Sequence, residues 1–291
     1  MGTDTIGVVA PEELAGEALL ENLAAASFPS QHLRLLGSEP DAAARVGYGS
    51  TRLPVEPLSR CDYTTLEHLL IPAPGADYPE AVQSALAAGC RVTAMAPGNA
   101  SAEADRERLT LVPVAAQLIG QRLVAAAGAV APVTGVDAMA LDPASAGGQA
   151  SVQRLARECA EVLNARSPEP PAGDVVRAFN AVPGQGAGDV HQDIPFRLTR
   201  VDVPVFFGQA GVYHIAFGHD VGPAELEQAL AADAGFEVSS SAEPQGARDG
   251  IDSDTIGVTV CSRQPASVHR LWVVADNLRL EAKALMAGVT G

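Results

Sequence analysis

An unbroken apolar segment, residues 5–10 (Thr-Ile-Gly-Val-Val-Ala), runs directly into a helical repeat over residues 13–26, with Leu14, Ala18, Leu19 and Leu23 on one stripe. A strand without polar alternation is covered on both faces, and a helix that follows it at once is one of the covers. The pattern recurs. Residues 33–36, 52–56, 66–71 and 91–95 read as short strands, and residues 78–88 as a helix ended by Gly89. Strands alternating with helices specify a parallel sheet layered between helices. The predicted class is therefore α/β, with a Rossmann-like parallel-sheet domain at the N-terminus.

The second half reads differently. Residues 109–112 form a strand, 115–127 a helix, 133–141 a longer alternating strand and 151–163 a helix with apolar Val152, Leu155, Cys159 and Val162. Residues 99–108 read as loop, and 166–173 as Pro-rich and exposed. Residues 174–210 are strand-rich, with 196–207 as one long strand. A helix over 223–232, a polar loop over 239–254, a strand over 271–276 and a closing helix over 278–287 complete the order. This half is α+β, and the order of elements leaves the last helix free to return to either half.

Composition narrows the function. Thirty-five acidic against nineteen basic residues give a net charge of −16, which disfavours nucleic acid and anionic membrane surfaces as partners. No apolar run approaches the roughly 18 residues of a membrane span. Cys61, Cys90, Cys159 and Cys261 are scattered without a Cys-x-x-Cys pair, which suits a reduced, cytoplasmic chain and neither a zinc ribbon nor a disulfide framework. His191, His214, His219 and Asp220 lack metal-ligand spacing, and no Gly-x-Ser-x-Gly elbow accompanies Ser239-Ser240-Ser241. No metal site is expected. His32 and His68 lie in apolar segments and read as core or edge residues, and the single tryptophan, Trp272, lies in an apolar strand and reads as core. Gly218 to Gly222 reads as a loop.

A βαβ opening places a dinucleotide at its first turn, where glycines let the backbone approach a pyrophosphate and helix N–H groups point at it. Here the turn is Ala10-Pro11-Glu12-Glu13-Leu14-Ala15-Gly16. Only Gly16 remains, Pro11 has no N–H, and two carboxylates stand where phosphates would lie. The same residues also suit a simple helix start.

Seven short motifs occur in a familiar order: Gly16-Glu-Ala-Leu-Leu-Glu-Asn-Leu, Phe28-Pro29, Gly89-Cys90, Ala144-Ser145-Ala146-Gly147, Ala178-Phe179-Asn180-Ala181-Val182-Pro183, Val203-Pro204-Val205-Phe206 and Trp272 to Arg279. Together they resemble aspartate-semialdehyde dehydrogenase, and more closely its Usg-type paralogues, over nearly the whole chain. The resemblance implies a nucleotide-binding domain over 1–114 and 277–291, with the C-terminal helix returning to it. It implies a dimerisation and catalytic domain over 115–276, a homodimer, and a place in amino-acid biosynthesis. It also implies NADP-dependent interconversion of an acyl phosphate and an aldehyde, with a Cys nucleophile, a His acid/base, a Gln that orients the intermediate and an Arg that grips the substrate carboxylate.

Carried over by position, those roles fall on unsuitable residues. Ala115 stands at the nucleophile, Asp142 at the Gln, Gln209 at the His and Asp202 at the Arg, with Arg200 on the same strand face. A methyl group forms no thioester, and a Gln side chain shuttles no proton near neutrality. The resemblance also implies two shortened segments, between Asn99 and Leu109 and between Pro183 and Phe196, and leaves a Gly184-Gln185-Gly186-Ala187-Gly188 turn. Gly16 and Asn277 remain as candidate cofactor contacts. The expected protein is a catalytically inactive dimeric scaffold or regulator with a possible protein partner and no cofactor. The alternative is an NAD(P)-dependent oxidoreductase acting on a small aldehyde or acyl phosphate, with NADP bound. A small-molecule sensor using the old substrate cleft is a third reading.

Overall fold

The computed structural model describes residues 5–41, 43–73, 78–96, 107–184, 194–239, 245–262 and 264–290. The chain divides into two compact units, Met1–Val114 with Leu278–Gly291, and Ala115–Asn277. The segment over 97–106, most of the 184–188 turn and His191 lie outside the described residues.

Unit 1 contains β1 (Ile6–Val9), α1 (Leu14–Ala25), β2 (Leu33–Gly37), β3 (Arg45–Tyr48), β4 (Thr51–Pro57), β5 (His68–Ile71), α2 (Tyr78–Ala87), β6 (Arg91–Met95) and β7 (Leu109–Val112). Its sheet has the order β3-β4-β2-β1-β5-β6-β7. Every pairing is parallel except the β3–β4 hairpin. Every residue of β1 and β5 is buried, as unbroken apolar strands require. Inside β5, His68 reaches Thr93 Oγ1 through Nε2 at 2.8 Å. α2 stops at Gly89, whose φ of +88° is the left-handed conformation glycine adopts without penalty. Gly16 has a different reason to be glycine. A Cβ there would lie 2.2 Å from the Ala10 carbonyl oxygen, so its absence lets α1 pack onto the end of β1.

Unit 2 contains α3 (Ala115–Ala127), β8 (Val133–Asp142), α4 (Gly148–Leu163), β9 (Val182–Pro183), β10 (Phe196–Asp202), β11 (Gln209–Val221), α5 (Pro223–Ala232), β12 (Phe236–Ser239), β13 (Ile256–Val260) and β14 (Ala266–Ala275). The last helix, α6 (Asn277–Thr290), belongs to unit 1 from Leu278 onward. The mixed sheet has the order β12-β13-β14-β11-β8-β10-β9. Strict alternation gives it two unlike faces. Val136, Ala138, Ala140, Leu198, Tyr213, Ile215, Leu271 and Val273 are buried on the face that α3 and α5 cover. Met139, Val212 and Trp272 lie in line across β8, β11 and β14 on the other face.

Several expectations are corrected here. The long strand over 196–207 ends at Asp202. Val203 N–H turns to the Asp142 carbonyl, Pro204 has no donor to continue the ladder, and the chain reverses into β11. Gly218 to Val221 is strand and not loop, because β11 shifts register beyond Ala216 and pairs Val221 with Ala266. Gly47-Tyr48 is the end of a strand, with the β3–β4 turn following at Gly49. Residues 236–239 and 256–260 are additional strands. Trp272 is half-buried, because it stands on the sheet face opposite α3 and α5, and its indole N–H donates to the Gln245 carbonyl at 2.6 Å.

Candidate active site

The helix-covered face of the unit 2 sheet is apolar along most of its length and turns polar at one end. Alternation along β8 carries Val136, Ala138 and Ala140 to Asp142, and along β10 it carries Phe196 and Leu198 to Arg200 and Asp202. β11 begins with Gln209, one pair beyond the Ala210–Leu141 match, so its side chain meets Asp142. Three strand ends thus deliver Asp142, Arg200 and Gln209 to one point.

Asp142 is only 2% exposed and both its oxygens are engaged. Gln209 Nε2 donates to Oδ1 at 2.7 Å and Arg200 Nε donates to Oδ2 at 2.6 Å. Burial raises the Asp142 carboxyl above its ordinary value, and the Arg200 guanidinium opposes that rise. Tyr213 follows Gln209 on the same face of β11 and donates to the Ala116 carbonyl of α3 at 2.9 Å. Burial first, then the Asp142 charge, pushes the Tyr213 hydroxyl up. This contact ties the first turn of α3 to the site face, with Ala115, 2% exposed, as the first residue of that helix.

Asp202 pairs with Arg177, which also reaches Asp174 at 3.5 Å. Asp174 pairs with Arg154, and Arg154 Nε donates to Glu158 Oε1 at 2.6 Å on α4. Glu158 Oε2 accepts the backbone N–H groups of Arg177 and Ala178 at 2.6 and 3.2 Å. Carboxylates and guanidiniums therefore alternate from α4 across the segment over 174–178 to β10. Arg154, Asp174, Arg177 and Asp202 of this chain of charges line a cleft of about 340 Å³ together with Asp142, Arg200, Pro143, Ala144, Ala146 and Gly147. On the far side of that turn Ser145 Oγ donates to Asn277 Oδ1 at 3.1 Å. Asn277 Nδ2 is buried with no partner among the described residues.

The residues singled out from the sequence are thus distributed unevenly. Asp142, Gln209 and Asp202 come together, with Arg200 between them as ion partner of Asp142. Ala115 sits at the start of the helix on the same sheet face. Gly16 belongs to unit 1, at the β1–α1 turn, and Asn277 meets Ser145 at the start of α6. Arg154, Glu158, Asp174 and Arg177 were not anticipated. The i,i+4 spacing of Arg154 and Glu158 on a helix was the one available signal. Among the described residues, no group of three His, Cys, Asp or Glu side chains is placed to hold a metal ion, and no helix is long and apolar enough to cross a membrane.

No family model matches the chain. The USG-1 protein homolog of Pseudomonas aeruginosa is 28% identical, the alignment covering 98% of this chain and 96% of that protein. The homolog of Azotobacter vinelandii is 25% identical over 94% and 93% of the two chains. A probable aspartate-semialdehyde dehydrogenase from Pseudomonas aeruginosa superimposes with a TM-score of 0.86 at 25% identity, covering 98% of both chains. Aspartate semialdehyde dehydrogenase II of Vibrio cholerae gives 0.85 at 21% identity over the full length of both. The enzyme of Candida albicans, solved with NADP, gives 0.64 at 11% identity over 98% and 99%. With two USG-1 homologs aligned nearly end to end and the same fold throughout, the chain is similar to Usg-type proteins and shares the fold of aspartate-semialdehyde dehydrogenases.

Proposed function

We propose that this protein has left the chemistry of its relatives and acts as a dimeric scaffold or regulatory protein of the cytoplasm. In this reading unit 1 is a degenerate nucleotide-binding domain and unit 2 a dimerisation domain. The observation that carries the reading is the closed Asp142–Gln209–Arg200 cluster. The positions that the family resemblance marks for orientation and proton transfer bond to each other, and the position marked for the nucleophile is a buried methyl group. Asp142 is 2% exposed and each of its oxygens already accepts a donor from its own neighbours, so the group is committed within the cluster.

The test is direct. Purified protein with aspartate semialdehyde, phosphate and NADP is expected to form no NADPH above a protein-free blank. Turnover would overturn the proposal and favour a divergent oxidoreductase acting on a small aldehyde or acyl phosphate. One observation favours that second reading: the buried amide donor of Asn277 lacks a partner, as a donor awaiting a cofactor carbonyl would. The first βα turn, with Pro11, Glu12 and Glu13, does not fit NADP, however.

Dimerisation is proposed through the bare face of the unit 2 sheet. Met139 is 47% exposed there, and Val212 and Trp272 border an apolar hollow of about 540 Å³. A Val212→Glu substitution, in the middle of that band, is expected to shift the mass by light scattering from about twice 29.8 kDa to the single-chain value. A wild-type monomer, or an unchanged dimer in the variant, would remove this part of the proposal.

A further inference from the structure

We infer that the crevice at the first βα turn of unit 1 selects against phosphate, and that Glu12 is the selecting group. The inference concerns ligand binding in unit 1 and stands apart from the catalytic reading of unit 2.

In an open α/β sheet the ligand crevice lies beyond the carboxyl ends of the strands, where the strand order reverses. Here that place is beside β1, which has β2 on one side and β5 on the other. A pyrophosphate needs free N–H donors there and no competing negative charge. The turn is short of donors and carries two carboxylates. Ala10 takes a left-handed conformation, φ +49°. Its N–H is given to the Leu36 carbonyl at 2.8 Å, and its own carbonyl accepts the Glu13 N–H at 3.2 Å. One donor at the start of α1 is therefore already used, and the buried Pro11 contributes none. Gly16 is accounted for by its close approach to Ala10, without any cofactor.

The exposed Glu12 adds charge in a defined place. Its Oε1 lies 3.3 Å from the point where a Cβ on Gly37 would stand. The carboxylate therefore covers the end of β2, the edge along which the nucleotide would run. Glu13 stands next to it at the N-cap and its side chain makes no capping hydrogen bond. The negative field reaches the following turn: burial, then Glu21 and Glu13, raise the Glu17 carboxyl above its ordinary value. Beyond the end of β2, Glu39 and Glu80 border a second cleft of about 350 Å³, and none of the residues lining it is basic. Glu12 and Glu13 at the turn, with Glu17 one turn on, thus set carboxylates along the start of α1 where phosphate would approach.

The experiment is a titration with NADPH, read by its fluorescence. The wild-type protein is expected to give no saturable change up to about 1 mM. The Glu12→Gln/Glu13→Gln variant is expected to gain saturable binding, tightened about tenfold or more as two like charges are removed. Inorganic pyrophosphate followed by thermal shift should repeat the pattern, raising the melting temperature of the variant only. Both side chains reach solvent, and a matched circular dichroism spectrum confirms that the variant is folded. Wild-type binding in the micromolar range overturns the inference, and so does a folded variant that gains nothing. A protein that binds NADPH but turns over no aldehyde overturns this inference alone and leaves the reading of unit 2 standing.

Discussion

Replacement of Arg200 by Met is expected to destabilise unit 2 by about 3–5 kcal/mol, the cost of removing one partner from a buried ion pair. The size of the effect follows from what is left behind. Asp142 is 2% exposed, and without Arg200 Nε it keeps only the neutral donor Gln209. Met preserves most of the volume and apolar stem of Arg200, so the loss is electrostatic and not a cavity. In a unit of this length the melting temperature should fall by roughly 10 °C. The double variant Arg200→Met/Asp142→Asn should recover most of that loss, because a neutral amide still accepts from Gln209 and no longer needs a counter-ion. Thermal unfolding of the single and double variants measures the cycle. If the double variant is no more stable than Arg200→Met alone, Asp142 is not the charge that Arg200 neutralises. If Arg200→Met is as stable as wild type, the cluster contributes nothing to the fold, and the view of it as a self-contained replacement for a catalytic site loses its support.

The same cluster shows how far the sequence could be read. The residues themselves were placed by their order among family motifs, and strand alternation put Arg200 and Asp202 on one face. That Gln209 would donate to Asp142 was not legible, because the contact depends on the register of β11 against β8 across 67 residues of chain. β11 was itself obscured. Its segment mixes Gly211, Gly218, His214, His219 and Asp220 into an otherwise apolar alternation, and a register shift after Ala216 breaks the period of two. In unit 1 the reverse holds. Interior parallel strands such as β1 and β5 are apolar on both faces, so each announces itself without knowledge of its neighbours. Trp272 marks the limit of such reasoning. An apolar strand was identified correctly, but its two faces meet different surroundings, and only the sheet order tells which one the indole occupies. The segment over 174–178, expected as the start of a strand-rich stretch, is instead loop. Its partners lie on α4 and β10, and a loop held by ion pairs has no signature in the order of its residues.

Glu158 is expected to be the fastening of that loop, and acid is expected to release it. Burial alone would raise its carboxyl. The hydrogen bonds from Arg154 and from the N–H groups of Arg177 and Ala178, with the Arg154 charge, outweigh burial and hold it below its ordinary value. Asp174 is lowered to about 2, first by its hydrogen bond to Arg154, then by the Val175 N–H. A carboxyl lowered on folding contributes stability that is complete above its unfolded value and is lost as pH falls through the folded one. For Asp174 the loss therefore runs from about pH 4 down to about 2. Asp142 runs the other way: raised on folding, it favours the folded state more as it takes up a proton. Acid should then loosen the 174–178 segment while the strand ends at Asp142 hold. Hydrogen-exchange protection of the Arg177 and Ala178 amides, corrected for intrinsic rates, should fall between about pH 4 and 2 ahead of the sheet amides of β8. A Glu158→Gln substitution should lower it at every pH, by about 1.5–3 kcal/mol for hydrogen bonds that lose their charge. If the β8 amides open first, or if Glu158→Gln leaves Arg177 and Ala178 as protected as before, the carboxylate does not hold the segment in place.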